Sequence, residues 1–373
     1  MVSKHSAMPG HNEAMKPLNA NFMQRLGLRL PVVQAPMAGS QGSALALAVC
    51  EAGGLGSLPA ATLTLDALRQ ELDVLSRQAR GPWNVNFFCH SPPPSDPVRE
   101  QAWLDALRPL ADRLATTLPT GPAVAGRAPF SREALEVIRP FRPPVVSFHF
   151  GLPAPALLAE VKAWGAQVWS SATTVDEARW LQQNGADVII AQGLEAGGHR
   201  GMFLTGDVTT QTALMALLPQ VVRAVQGPVI AAGGIADAAG VHAAMALGAA
   251  GVQVGTAYLL TPEAQTQPLH RAALASGRAG HTALTNVFTG RPARGLVNRA
   301  MRELGDGATC LSARAPAFPL AGWAMAPLRT AAEAAGLDDC TPLWAGMAAP
   351  LCVPMPAGEL TRRLGAAALA HTG

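Results

Sequence analysis

Aromatic residues make up only 5% of this 373-residue chain, and tyrosine occurs once, at Tyr258. Charge is also sparse: Asp, Glu, Lys and Arg amount to 14%, and 28 basic against 25 acidic residues leave a formal net charge of +3. With its Lys and Arg scattered, the chain lacks the basic footprint of a nucleic-acid binder, and no nucleic-acid partner is expected. The five cysteines, Cys50, Cys89, Cys310, Cys340 and Cys352, are odd in number and include no CxxC pair. Neither a disulfide framework nor a metal site is indicated; buried free thiols are. Long apolar runs are missing too. Pro, Gly or a charged residue interrupts every stretch before the roughly 20 residues a membrane helix needs. Residues 1–19 have no apolar core of a secretion signal and read as a loose tail. These absences leave a globular, cytoplasmic protein whose partners are small molecules, with an anionic ligand suited to its slight positive charge.

What is present, from residue 30 to about 275, is an alternation of short apolar runs with helical stretches. The runs, at 31–35, 55–59, 83–88, 145–150, 167–171, 187–191, 228–232 and 251–255, are nearly continuous in apolar residues, as parallel strands covered on both faces require. Helix candidates lie between them at 43–52, 65–80, 154–164, 175–184, 209–225 and 236–247. One signature recurs where a helix leads into a strand: Ala52-Gly53-Gly54, Trp164-Gly165-Ala166, Asn184-Gly185-Ala186 and Leu247-Gly248-Ala249. A glycine just past a helix takes the left-handed conformation that closes it. The strand-to-helix connections instead collect the polar and glycine-rich residues. Eight βα units with unusual chemistry at one strand end predict an α/β protein built as a (β/α)8 TIM barrel, active at its C-terminal face. A doubly wound open sheet is the competing architecture.

Two segments break the repeat. Residues 91–130, rich in Pro and Arg, read as a long loop with a short helix over the active face. From 277 to 343 Gly, Pro and Arg dominate. The expected organisation is therefore a barrel over 20–275, a smaller cap or substrate unit over 276–343, and a final segment, 344–373, packing back on the barrel.

The chemistry concentrates at the strand ends. Ala232-Gly233-Gly234-Ile235 closes the seventh run and Gln253-Val254-Gly255-Thr256 the eighth. Late barrel strands that end this way before helices present backbone N–H groups to a phosphate, so a phosphate-bearing ligand is expected. Ala35-Pro36-Met37 and Asn86 end the first and third runs, and Gln192 follows the sixth. Together they offer amide partners to the polar edge of a flat ring and apolar cover to its face; taken singly, each is equally a turn or core residue. The densest segment is Gln192-Gly193-Leu194-Glu195-Ala196-Gly197-Gly198-His199-Arg200-Gly201, where glycines permit close backbone approach and His199 can exchange a proton or hold negative charge. Of nine histidines, His199 is the catalytic candidate and His149 the substrate-side one, its alternative being a histidine bonded within the barrel wall. His242 reads as a helix-surface or packing residue, and His90, His270 and His281 have no supporting context.

These segments, with Val146-Ser147-Phe148-His149-Phe150-Gly151 and Leu343-Trp344-Ala345-Gly346, resemble the nitronate monooxygenase family, formerly called 2-nitropropane dioxygenases. They follow the family order through nearly the whole chain. The resemblance implies FMN as cofactor, bound by Ala35, Pro36, Met37, Asn86, Gln192, Gly197, Gly198, Gly233, Gly234, Gln253, Gly255 and Thr256. It implies His199 in the active site and oxidation of alkyl nitronates by dioxygen to a carbonyl compound and nitrite or nitrate. Two departures stand out: Met347 follows the Trp-Ala-Gly segment where many relatives carry glutamine, and a single tyrosine stands where relatives line the substrate pocket with several. The alternative activity is an FMN-dependent NAD(P)H oxidoreductase of the enoyl-ACP or quinone reductase kind.

Overall fold

The computed structural model describes residues 22–370. Residues 1–19, with His5 and His11, and residue His371 lie outside the described residues. The strands are β1 (Val32–Gln34), β2 (Gly56–Pro59), β3 (Trp83–Phe88), β4 (Val145–His149), β5 (Gln167–Ala172), β6 (Val188–Gln192), β7 (Gly198–His199), β8 (Val229–Ala232), β9 (Gly251–Val254), β10 (Thr282–Thr285) and β11 (Ala293–Leu296). All but β7, β10 and β11 belong to one parallel sheet whose neighbours follow chain order. β9 pairs with β1, and the Leu55 N–H bonds the Val32 carbonyl at 2.9 Å while the Gln34 N–H bonds that of Leu55 at 3.0 Å, so the sheet closes on itself. The chain is a (β/α)8 barrel, with its eight strands on the apolar runs read from the sequence.

The helices are α1 (Ser43–Ala52), α2 (Leu65–Gln78), α3 (Pro97–Arg113), α4 (Arg132–Ile138), α5 (Pro155–Ala163), α6 (Val175–Gln183), α7 (Leu214–Ala224), α8 (Ala238–Ala246), α9 (Pro268–Leu274), α10 (Arg299–Leu304), α11 (Ala321–Ala334) and α12 (Ala357–Ala370). Gly53, Gly165, Gly185 and Gly248, the recurrent glycines, all have positive φ, between 87° and 105°. Helix α7 starts at Leu214, later than its sequence pattern suggests, because Asp207 accepts from the Thr209 amide and turns residues 208–210 into a separate 3-10 turn. Helix α12 packs against α1 and α8 with Leu360 and Leu364 inside. No helix among the described residues is long and apolar enough to cross a membrane.

Side chains of a strand alternate between faces, and this periodicity sets up the site. Outward residues such as Val85, Phe87, Val146, Phe148 and Val168 pack in one cluster with helix residues Leu68, Leu72 and Leu135. Inward ones, Val33, Leu55, Val145, Trp169, Val188, Ile190 and Ile230, fill the lower barrel, where Phe22 stands 5.6 Å from Trp169. Two residues further along the same faces the side chains turn polar: Ser57, Ser147, Ser171 and Gln192. The barrel thus carries an apolar floor and a polar upper layer.

Residues 91–130 hold more regular structure than their composition suggests. α3 is 17 residues long, capped by Asp96, whose side chain accepts from the Arg99 amide. Pro97 stands in its first turn, where a missing N–H costs nothing, and Trp103, Leu107, Leu110 and Ala111 form one buried face. That face packs on α11, in a second hydrophobic core with Met301, Leu304, Met325 and Leu328. Beside it lies a three-stranded antiparallel sheet, β10–β11–β7. Its outer strand β7 comes from the loop after β6.

Candidate active site

The carboxyl ends of the barrel strands open into one cavity, with about 1380 Å³ between its walls, mouth included. It is lined by Ala35, Pro36, Met37, Asn86, His149, Gln192, Gly197, Gly198, His199, Gly233, Gly234, Gln253, Gly255 and Thr256. Every site residue singled out from the sequence is brought together there.

One end of the cavity is an amide-rich rim. The backbone N–H groups of Gly233, Gly234 and Gly255 find no acceptor among the described residues. Gly233 (φ +113°) has to be glycine, since a Cβ would lie 2.9 Å from the amide nitrogen of Ala196. Unengaged amides at the ends of consecutive strands form a receptor for an anion. The Thr256 hydroxyl accepts from the Gly346 amide at 3.0 Å, tying the rim to the Trp-Ala-Gly segment. Nearby Gln253 lines the cavity and makes no side-chain hydrogen bond among the described residues. Asn86 donates to the Ser147 hydroxyl at 2.9 Å and is fixed in the wall. Gln34 and Gln41, buried and bonded to each other at 2.7 Å, shape the β1 loop, Gln41 accepting from the Met37 amide at 3.1 Å.

The loop from Gln192 to Gly201 is held from several directions. Arg200, with no exposed surface, donates to the carbonyls of Gln192 (2.9 Å) and Gly193 (2.7 Å), and Arg294 donates to that of Leu194 (2.9 Å). Burial lowers the Arg200 pKa to about 10, which leaves it charged at neutral pH. Gln192 donates to the His199 carbonyl at 2.9 Å and accepts from the Gly201 amide at 2.7 Å, so it braces the loop as well as lining the cavity. Gly197 answers to packing: a Cβ there would lie 2.6 Å from the Ala345 carbonyl carbon and from the Gly346 nitrogen. β7 then pairs with β11, Ala293 opposite His199 and Arg294 opposite Gly198.

The two candidate histidines differ in what they offer. The His199 carbonyl can only accept, so His149 donates to it through Nε2–H (3.2 Å), and its Nδ1 accepts from the Ser171 hydroxyl (3.0 Å). Both ring nitrogens of His149 are engaged in the wall, and desolvation pushes its pKa down to about 3. His199 bonds the Thr289 hydroxyl through Nε2 at 2.9 Å. That hydroxyl also lies 3.5 Å from the Arg291 carbonyl; in the tautomer in which it donates there, it accepts from Nε2–H and Nδ1 keeps its lone pair. Desolvation, then the positive charge of Arg127, holds the His199 pKa well below the usual imidazole range. At neutral pH it is an uncharged imidazole.

Several cavity residues were not legible as such. Phe88, Arg127, His270 and Trp344 line it, and Phe318, 5.4 Å from the His199 ring, and Trp344, 5.6 Å from it, form an aromatic wall. Ser147, which shares a strand face with His149, was within reach of a period-two reading. Arg127 and Phe318 stand in irregular segments far from any motif, and only the fold brings them in. His90 and His270 are buried against this region, whereas His242 and His281 are exposed. The single tyrosine is buried away from the cavity, its hydroxyl 2.8 Å from that of Thr361. Aromatic cover of the substrate side falls to Phe and Trp instead.

The model of the family described as "Nitronate monooxygenase" matches residues 20–366. The chain is 42% identical over 353 residues to a nitronate monooxygenase of Pseudomonas aeruginosa, covering 92% of this chain and 97% of that one. It is 39% identical to a nitronate monooxygenase of Paraburkholderia phytofirmans, covering 91% and 92%. Among solved structures, a nitroalkane oxidase from Streptomyces ansochromogenes superposes with a TM-score of 0.84 at 39% identity, over 94% of this chain and 98% of the other. FabK from Thermotoga maritima superposes with a TM-score of 0.69 at 26% identity, covering 94% and 96%. On sequence, fold and the residues gathered at its cavity, the chain is an enzyme belonging to the nitronate monooxygenase family.

Proposed function

We propose that this enzyme oxidises alkyl nitronates with FMN and dioxygen, giving a carbonyl compound and nitrite or nitrate, and that His199 contacts the substrate. The observation that carries this reading is one cavity lined both by the unengaged amides of Gly233, Gly234 and Gly255 and by His199, held uncharged. A flavin mononucleotide fits this set. The amides would take its phosphate, Gln253 and the β1 loop at Ala35–Met37 the edge of its ring, with Asn86, Gln192, Gly197, Gly198 and Thr256 completing the walls. FMN, when bound, supplies the electron acceptor and dioxygen the final oxidant. The chain's own residues do the rest. His199 is expected to orient the nitro oxygens and, when a neutral nitroalkane enters, to take its α-proton on Nδ1. His149 acts through the His199 carbonyl as a positioning residue. Residues 276–343, with the 91–130 insertion, would cover the substrate half of the cavity and exclude bulk water.

Purified protein should show a flavin absorbance spectrum and consume oxygen with a preformed nitronate. His199→Asn should lose most of that turnover while retaining flavin. Unchanged rates with both the nitronate and the parent nitroalkane would overturn the role of His199. Anaerobic bleaching of the flavin by NADH, with none by nitronates, would replace the activity by an NAD(P)H oxidoreductase.

A further inference from the structure

Two guanidinium groups stand beside the aromatic wall without an anionic partner. Arg127, from the loop between α3 and α4, lines the cavity and places its guanidinium carbon 5.9 Å from the centre of the Phe318 ring. Arg291 lies over the Phe150 ring at 3.9 Å and donates to the Met202 carbonyl. The Nε of each is buried without a hydrogen-bond partner. Neither forms an ion pair among the described residues. The two differ in use: Arg291 spends its charge on a backbone carbonyl, whereas Arg127 has only a ring face. Arg127 is partly buried, and only its Nε is cut off from any partner, so the rest of its guanidinium is open to an anionic ligand. Arg127 is also well placed for a ligand. His90 stands 4.8 Å from Phe318, and Phe318 is 5.4 Å from His199. The guanidinium therefore lines the same cavity as the histidine and shares the Phe318 ring with it, where a charge-assisted, two-point bond to a planar anion can form.

We propose that Arg127 is the specificity residue of this cavity: its guanidinium pairs with a negative group of the substrate, so that the enzyme selects ionised nitronates over neutral nitroalkanes. This rests on the nitronate-oxidising reading of the site. The anionic group has two sources, the nitronate oxygens themselves or a carboxylate on the substrate's tail, and both present two coplanar oxygens to the guanidinium fork.

Arg127→Gln and Arg127→Lys holoenzymes, checked for unchanged flavin spectrum and thermal midpoint, should be assayed with propyl 1-nitronate, with propionate 3-nitronate and with neutral nitropropane. The loss of one charged hydrogen bond should raise KM for the anions about tenfold or more in Arg127→Gln. It should fall on KM more than on kcat, be partly restored in Arg127→Lys, and exceed any change for nitropropane. A KM effect on both nitronates assigns the partner to the nitronate oxygens, and one confined to propionate 3-nitronate assigns it to the carboxylate. Equal KM in wild type and Arg127→Gln for both anions overturns the proposal. Calorimetric titration with nitrate separates the two readings. If wild type oxidises no nitronate, the proposed activity fails, yet nitrate binding lost in Arg127→Gln still upholds Arg127 as the anion partner; nitrate bound equally by both proteins refutes it.

Discussion

The His199 carbonyl is gripped by two side chains, Gln192 at 2.9 Å and His149 at 3.2 Å, and this invites a double-mutant cycle. In Gln192→Leu the carbonyl keeps its bond from His149, but the Gly201 amide, which Gln192 accepts at 2.7 Å, is left with no acceptor. Two lost hydrogen bonds at about 1 kcal/mol each, plus about 1–3 kcal/mol for the orphaned buried amide, predict a loss of about 3–5 kcal/mol. His149→Phe keeps the ring packing and gives up two bonds, to the His199 carbonyl and the Ser171 hydroxyl, for about 1–3 kcal/mol. Each single variant leaves the carbonyl one donor. Only the double variant strips it of both, so its loss should exceed the sum of the singles by about 1–2 kcal/mol. The assay is the urea midpoint of the three variants and wild type, with oxygen uptake followed in parallel. Because His199 is carried by the same peptide, the double variant should also lose more turnover than the product of the single losses. Additivity to within about 0.5 kcal/mol would refute the idea of a shared clamp.

Two further outcomes follow from packing and titration. Gly197→Ala forces a Cβ to within 2.6 Å of the 345–346 backbone, an overpacking expected to cost about 1–3 kcal/mol and to shift the loop that carries His199; a variant with wild-type melting and turnover would contradict that contact. Burial lowers the pKa of His149 to about 3, and of His90 and His270 to about 4, from 6.5. The unfolded chain takes up these protons first. Their contribution is therefore complete above pH 6.5 and is lost as the pH falls toward 4, at about 1.4 kcal/mol per histidine per pH unit. A denaturation midpoint that stayed flat over that window would exclude buried neutral histidines.

The barrel was readable because parallel strands covered on both faces are written as nearly unbroken apolar runs, and because Gly53, Gly165, Gly185 and Gly248 punctuate the helix ends. The rim glycines were readable for the same local reason. Helix α3 was readable only as a short helix in a long loop: Pro97, Pro109 and its arginines mimic loop composition, while its buried face of Trp103, Leu107 and Leu110 acquires meaning only once α11 is there to cover it. Arg127 and Phe318 were hidden for a related reason, since no local periodicity records that a loop after α3 and a segment before α11 will meet over the same histidine. A histidine bonded within the barrel wall was one of the two readings of His149, but the bracing work of Gln192 was out of reach. It depends on where the chain returns at 199–201, and a sequence states composition more clearly than it states return paths.

Because β7 is at once part of the loop after β6 and an edge of the β10–β11 sheet, His199 belongs to that sheet as well as to a loop of the barrel. That seam restricts how the enzyme can admit its substrate. A swing of the whole unit would tear the ladder between Ala293 and His199 and carry the imidazole away from the amide rim. Any opening that leaves His199 in place would have to use segments outside that ladder, such as the chain between α3 and α4, whose Arg127 lines the cavity.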